Sequence, residues 1–222
     1  MKKNKNLFVS ILDFLVGKKI LFNGSSPYNG EIVVLQDIFG RYLLASGLTQ
    51  SGGMIKPLWK KAISKVNSQK VEKILILGLG AGSCLEAIFK KWPRAKITGV
   101  EIDPKMIELG KNFFGLSHRN LNIKIEDAAD FTAKTQLKFD LILIDLFSGE
   151  KYPKFLEEEY FLKNFKKILE KNGLLIFNRL YFEGQKESTN NFSKKLKKYF
   201  SLVNSFKFPS FFPTNLLFFC QD

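Results

Sequence analysis

The sequence predicts an α/β protein: a mostly parallel sheet with helices on both faces, preceded by a small antiparallel β appendage. Three observations carry this. From Lys73 onward, short apolar runs alternate with segments of helical period. The runs, such as Leu141-Ile142-Leu143-Ile144, lack the polar alternation of a half-exposed strand, so both sheet faces must be covered. The first run leads into a glycine turn, Gly78-Leu79-Gly80-Ala81-Gly82, and the second ends on an acid, Glu101. Strand, glycine turn, helix and acid-ended strand form the opening half of a nucleoside-binding sheet.

In chain order, Leu7 to Val16 suits a short amphipathic helix. Lys2 to Lys5 followed by this run faintly resembles a signal peptide, but the helix is favoured because Asp13 breaks the apolar run and Gly17-Lys18-Lys19 follows in place of a small-residue cleavage site. Residues 19–22, 31–36 and 41–45 read as short strands, separated by Asn23-Gly24-Ser25-Ser26-Pro27 and Asp37-Ile38-Phe39-Gly40. Gly47 to Gly53 is expected to be a loop, and 54–66 a helix with Pro57 tolerated near its start. Strands follow at 73–78, 96–101, 121–125, 139–144 and 173–178, with helices at 82–91, 104–113, 157–171 and 188–199. The tail, 202–208 and 215–220, supplies an antiparallel pair turning at Pro209 and Pro213, which brings the main sheet to seven strands. Residues 1–66 would form the appendage with its helices, and 67–222 the main domain.

A net charge of +14 invites a nucleic-acid partner. However, the only arginines are Arg41, Arg94, Arg119 and Arg179, and the lysines fall on expected solvated helix faces, which favours the small-molecule reading. Cys84 and Cys220 give neither a metal spacing nor a disulfide framework, consistent with a reducing cytoplasm. No run of about 18 apolar residues suggests a membrane span. The 23 phenylalanines read as core filling.

The chemistry should collect at the carboxyl ends of the strands. Gly78, Gly80 and Gly82 let a ligand approach the backbone, and Ser83 argues against a dinucleotide fingerprint. Glu101 can accept hydrogen bonds from both ribose hydroxyls. Asp127, followed by Ala128, can cap a helix and accept from an adenine amino group. Asp145 ends a very apolar strand, where a carboxylate is costly unless it faces a polar cleft. His118 reads as a surface residue, and Cys84 as packing. No metal site is evident.

These residues resemble the spermidine synthase (polyamine aminopropyltransferase) family, a branch of the Rossmann-like class I S-adenosylmethionine methyltransferase fold. The resemblance runs from about Ser26 to Asn178. It includes Ser26-Pro27-Tyr28-Asn29, Gly47-Leu48-Thr49-Gln50, the glycine turn, Val100-Glu101-Ile102-Asp103, Asp127-Ala128, Asp145, Tyr160-Phe161 and Gly173. It implies S-adenosylmethionine or its decarboxylated form as co-substrate, Gln50 closing over the nucleoside, Asp145 as the catalytic base toward an amine acceptor, and a homodimer. The departures fall where the family carries acids or their neighbours. Ser51-Gly52-Gly53-Met54 replaces an acidic stretch, and Trp59-Lys60 replaces Tyr and His. Ala81 and Ser148 replace aspartates, and Asn178 a glutamine. Losing those acids weakens the case for a polycationic acceptor, and Ala81 implies weaker discrimination against the carboxylated donor. Methyl transfer to a small molecule or RNA, and a nucleoside-binding module without catalysis, are the alternative functions.

Overall fold

A computed structural model describes residues 17–53, 55–68, 70–147, 153–181, 186–208 and 214–222. The expected N-terminal helix, Met54, Ser148 and the two tail prolines lie outside them.

The appendage is a four-stranded antiparallel sheet, β1 (Lys19–Ser26), β2 (Gly30–Asp37), β3 (Gly40–Ala45) and β4 (Leu48–Gly52), in that order. The expected loop at 47–53 is therefore largely strand. Ser46 and Gly47, with φ of 48° and 82°, make the two-residue turn that reverses β3 into β4. A turn with both central residues left-handed matches the twist of a hairpin, and this one draws Gln50 and Ser51 into the sheet. Helix α1 (Ile55–Ser64) then leads to the main sheet.

The main sheet contains β5 (Lys73–Leu77), β6 (Lys96–Glu101), β7 (Leu121–Ile125), β8 (Phe139–Ile144), β9 (Leu169–Tyr181), β10 (Leu202–Phe208) and β11 (Thr214–Gln221). Their spatial order is β10-β11-β9-β8-β5-β6-β7, parallel from β9 through β7, with β11 and β10 antiparallel at one edge. This is the expected mostly parallel seven-stranded sheet. Both faces of β5 are buried: Ile74 and Ile76 pack under α1 and helix α2 (Leu85–Lys91), while Leu75 and Leu77 pack against the opposite layer. That layer comprises α4 (Ala128–Lys134), α5 (Glu159–Ile168) and α6 (Lys186–Leu196), and it absorbs Phe131, Phe161, Phe165 and Phe192. Packing thus accounts for much of the phenylalanine content.

Helix α3 (Pro104–Phe114) has clear end signals. The Asp103 carboxylate accepts from Lys105 N at 2.9 Å, Pro104 occupies the first turn, and Gly115 terminates the helix at φ 68°. Several expected boundaries shift. The helix after the glycine turn starts only at Leu85, because residues 78–82 are spent on the turn. The helix expected at 157–171 is a short 3-10 turn (Lys154–Glu157) followed by α5, and it stops at Ile168 because β9 starts at Leu169. Asn172, at φ 63°, lies within that strand, where Gly173 had marked its expected start. The short α4 is the helix that Asp127 was expected to be able to cap.

The appendage docks through Ile32, Val34, Leu43 and Ala45, which bury against Ala81, Met106 and Leu109. A polar clasp completes the joint: fully buried Asp103 accepts from Ser26 Oγ and from Asn29 Nδ2 at 2.6 Å. The Ser-Pro-Tyr-Asn turn is thereby fixed over the carboxyl end of β6.

Candidate active site

Where β5 ends, the backbone turns sharply. Gly78 (φ 83°) and Leu79 both donate to the Val100 carbonyl, at 2.9 and 3.1 Å. Gly80 N donates at 2.8 Å to Glu101 Oε2, and Asp103 N at 3.0 Å to Glu101 Oε1. Each carboxylate oxygen therefore takes one backbone N–H and keeps a lone pair. Burial pushes the Glu101 carboxyl above its ordinary range, against the pull of these hydrogen bonds.

Asp145 follows β8, its N–H bonded to the Leu77 carbonyl at 2.8 Å. Both carboxylate oxygens are held by neutral donors. Trp59 Nε1 donates to Oδ2 at 3.0 Å from α1, and Asn178 Nδ2 to Oδ1 at 2.7 Å from β9. Burial raises the Asp145 pKa, and the bonds from Asn178 and Trp59 oppose the rise. The other amide atom of Asn178, Oδ1, is buried without a hydrogen-bond partner among the described residues. Asp145 dictates this orientation, since the flipped amide would set oxygen against oxygen. Arg179, next along β9, is anchored to Glu157 and to Ser188 Oγ, which stiffens the strand end behind the carboxylate.

Glu101 and Asp145, with Trp59 and the glycine turn, border one cavity of about 230 Å³. Of the expected residues, it brings together Gln50, Gly78, Gly80, Glu101 and Asp145. Tyr28, Trp59, Ile102, Leu146 and Phe147 add its aromatic and apolar walls. Gly82 serves a different purpose. A Cβ there would meet Leu116 and Leu85 side chains at 2.7 and 3.0 Å, so this glycine permits packing behind the turn. Asp127 and Ala128 stand outside the cavity lining. Asp127 Oδ1 caps α4, accepting from Ala129 N at 2.6 Å, and Ala128 is buried. They remain adjacent, because Glu126 N donates to the Glu101 carbonyl at 3.1 Å.

Four contributors escaped the sequence reading. Trp59 and Asn178 were noticed only as departures, although they hold Asp145. Ser51 Oγ accepts from Ala81 N at 3.1 Å, and Ser83 Oγ from Gly52 N at 3.0 Å, sewing β4 to the glycine turn. Cys84 also borders the cavity. Burial and the neighbouring Asp145 charge push its thiol far above the ordinary range, so it is not poised as a nucleophile. No group of three or more His, Cys, Asp or Glu among the described residues could hold a metal. No described helix is long and apolar enough to cross a membrane.

A carboxylate held this way suits a general base, and the Trp59 bond should tune it. Trp59→Phe removes a donor that favours the charged form, so the Asp145 pKa should rise further. The acid limb of kcat/KM against pH should move to higher pH. Activity near neutrality should fall by roughly ten-fold, the scale of one hydrogen bond to a charged group, and recover at alkaline pH. An unshifted limb would mean that Asp145 is not the titrating group.

Residues 60–219 match the spermine/spermidine synthase domain family. A polyamine aminopropyltransferase of Buchnera aphidicola subsp. Schizaphis graminum is 30% identical over 213 residues, covering 90% of this chain and 74% of that protein. The crystal structure of spermidine synthase from Thermotoga maritima aligns with a TM-score of 0.74 at 18% identity, over 91% of this chain and 72% of the other. Human methyltransferase-like protein 13, solved in complex with SAH, aligns with a TM-score of 0.61 at 24% identity, over 76% of this chain and 79% of the other. At those identities the two structures speak to the fold alone.

Proposed function

The chain belongs to the spermine/spermidine synthase family, and we propose that it transfers an aminopropyl-type group from a sulfonium nucleoside to an amine acceptor. The observation that carries the reading is the pairing of Glu101 and Asp145 in one cavity, each carboxylate oriented by two hydrogen bonds. Glu101 holds the ribose through its remaining lone pairs. Gly78 and Gly80 allow the nucleoside to lie against the backbone, and Gln50 closes over it from β4. Ile102 supports the base, and Asp127 reaches the adenine amino group through the oxygen not used in capping, beside Ala128.

Asp145 accepts a proton from the acceptor amine. The freed nitrogen lone pair forms the new C–N bond, the C–S bond breaks, and its electron pair returns to sulfur as a neutral thioether. The donor arrives activated by its own positive charge, so orientation and one base supply what the protein must add. The acceptor is a small amine, reached past Trp59 and Phe147.

The test is to incubate the protein with S-adenosylmethionine or its decarboxylated form and a panel of amines, then identify the nucleoside product by mass spectrometry. Methylthioadenosine is expected. S-adenosylhomocysteine alone would replace the proposal with methyl transfer. Donor binding without turnover on any amine would replace it with a nucleoside-binding module.

A further inference from the structure

The donor's tail meets an unusual environment. Glu101 and Asp145 are the only acids among the described residues lining the cavity, and each is already engaged by two N–H donors. With the ribose at Glu101 and the reacting carbon at Asp145, the uncharged polar groups left in the lining include Gln50, Ser51 and Ser83, with Cys84 beside them.

The two serines are polarised in the same sense. Ser51 Oγ accepts the N–H of Ala81, and Ser83 Oγ accepts the N–H of Gly52. A hydroxyl oxygen that accepts from a backbone N–H still has its own proton to give, and the bond it accepts strengthens that donation. Both side chains are buried, with 1% and 9% exposure, so neither donor is diluted by bulk water. Ser51 Oγ also lies only 3.3 Å from where a Gly80 Cβ would stand, directly beside the N–H that Gly80 gives to Glu101. Both hydroxyls border the cavity near the proposed ribose site, each has a proton to donate, and neither carries a charge that would repel an anion. Ala81, whose N–H Ser51 accepts, packs into the apolar joint with the appendage and adds no charge.

We infer that Ser51 and Ser83 bind the carboxylate of intact S-adenosylmethionine, so that this protein prefers the carboxylated donor to the decarboxylated one. The inference rests on the proposed nucleoside site and specifies which donor fills it. Transfer from the carbon chain would then move a 3-amino-3-carboxypropyl group, with methylthioadenosine still the by-product.

Isothermal titration calorimetry with the two donors, without acceptor, tests this directly because they differ only in the carboxylate. The wild-type protein should bind S-adenosylmethionine about tenfold or more tightly than the decarboxylated form, the scale of one or two hydrogen bonds to a charged group. Ser51→Ala and Ser83→Ala, kept under thermal-melt control because each also frees a backbone N–H, should each shrink that ratio toward one. The ratio is insensitive to a general loosening of the turn, which weakens both donors alike. Equal or tighter binding of the decarboxylated donor, or a ratio unchanged in both variants, overturns the inference and leaves the proposed transferase intact. Failure of both donors to bind overturns the nucleoside site itself.

Discussion

Asp145→Asn should abolish turnover and make the protein more stable at the same time. The loss follows from removing the base: general-base catalysis contributes about 10²–10⁴-fold, and the asparagine retains the shape that admits the donor, so donor affinity should change little. The gain follows from burial. The Asp145 carboxyl titrates above its ordinary value of 3.8, so the native state carries the charge at a cost the unfolded chain does not share. That cost is present when the pH exceeds the raised pKa and vanishes as the pH falls below the ordinary one. The variant should therefore melt at higher temperature at pH 8, with the difference closing toward acid. Asn178 adds to the effect. Facing an amide in place of the carboxylate, its own amide is free to turn, so its orphaned Oδ1 becomes an acceptor for the new side-chain N–H group. Relief of about 1–3 kcal/mol would raise the midpoint by roughly 2–4 °C per kcal/mol in a chain of this size. Calorimetric melts at two pH values, beside single-turnover assays, check both halves. A variant that is inactive but destabilised at pH 8 would mean that Asp145 holds the fold together and that its burial carries no cost.

The same carboxylate shows what the sequence could and could not reveal. Asp145 was legible because it ends an apolar run too uninterrupted to lie anywhere but in a covered sheet, and Glu101 because it ends the strand that follows the first strand, the glycine turn and a helix. An acid at such an end must face the crevice where the strands stop. Gly78 was legible for the same reason. The groups that make Asp145 a usable base were not legible. Trp59 reaches it across 86 residues and Asn178 across 33, and nothing local in either segment announces the contact. Trp59 sits on a helix whose apolar residues predict only a buried face. Gly52 and Ser83 are 31 positions apart along the chain and meet only because β4 pairs with β3, a strand pairing hidden by its glycines. Asp127 shows the opposite balance between local and tertiary signals. Its helix-capping role was readable locally, and the cap takes the oxygen that captures Ala129 N while the residue stands outside the cavity lining. Local signals located the strand ends, and tertiary contacts decided which side chains there are available.

Of the two glycines that line the cavity, Gly78 should be far the less tolerant of an added methyl group. At φ 83° an alanine is strained by about 1–2 kcal/mol wherever it stands. Here the added Cβ would also lie 2.3 Å from the Asp145 carbonyl oxygen and 2.8 Å from its carbon, both backbone atoms that cannot rotate aside. Relief requires the ends of β5 and β8 to part, which breaks the 2.8 Å bond from Asp145 N to the Leu77 carbonyl and carries the base away from Trp59 and Asn178. Gly115→Ala supplies the matched control. Its φ is 68°, but a Cβ there meets nothing within 4 Å, so it reports the strain without the collision. The control should lower the melting midpoint by a few degrees and leave kcat intact. Gly78→Ala should cost roughly 3–5 kcal/mol, a drop of about 6–20 °C, and the fraction that folds should have lost its turnover. Equal losses in the two variants would show that the β5 and β8 ends are free to separate. In that case the narrow approach of Gly78 to Asp145 would not be what holds the base in place.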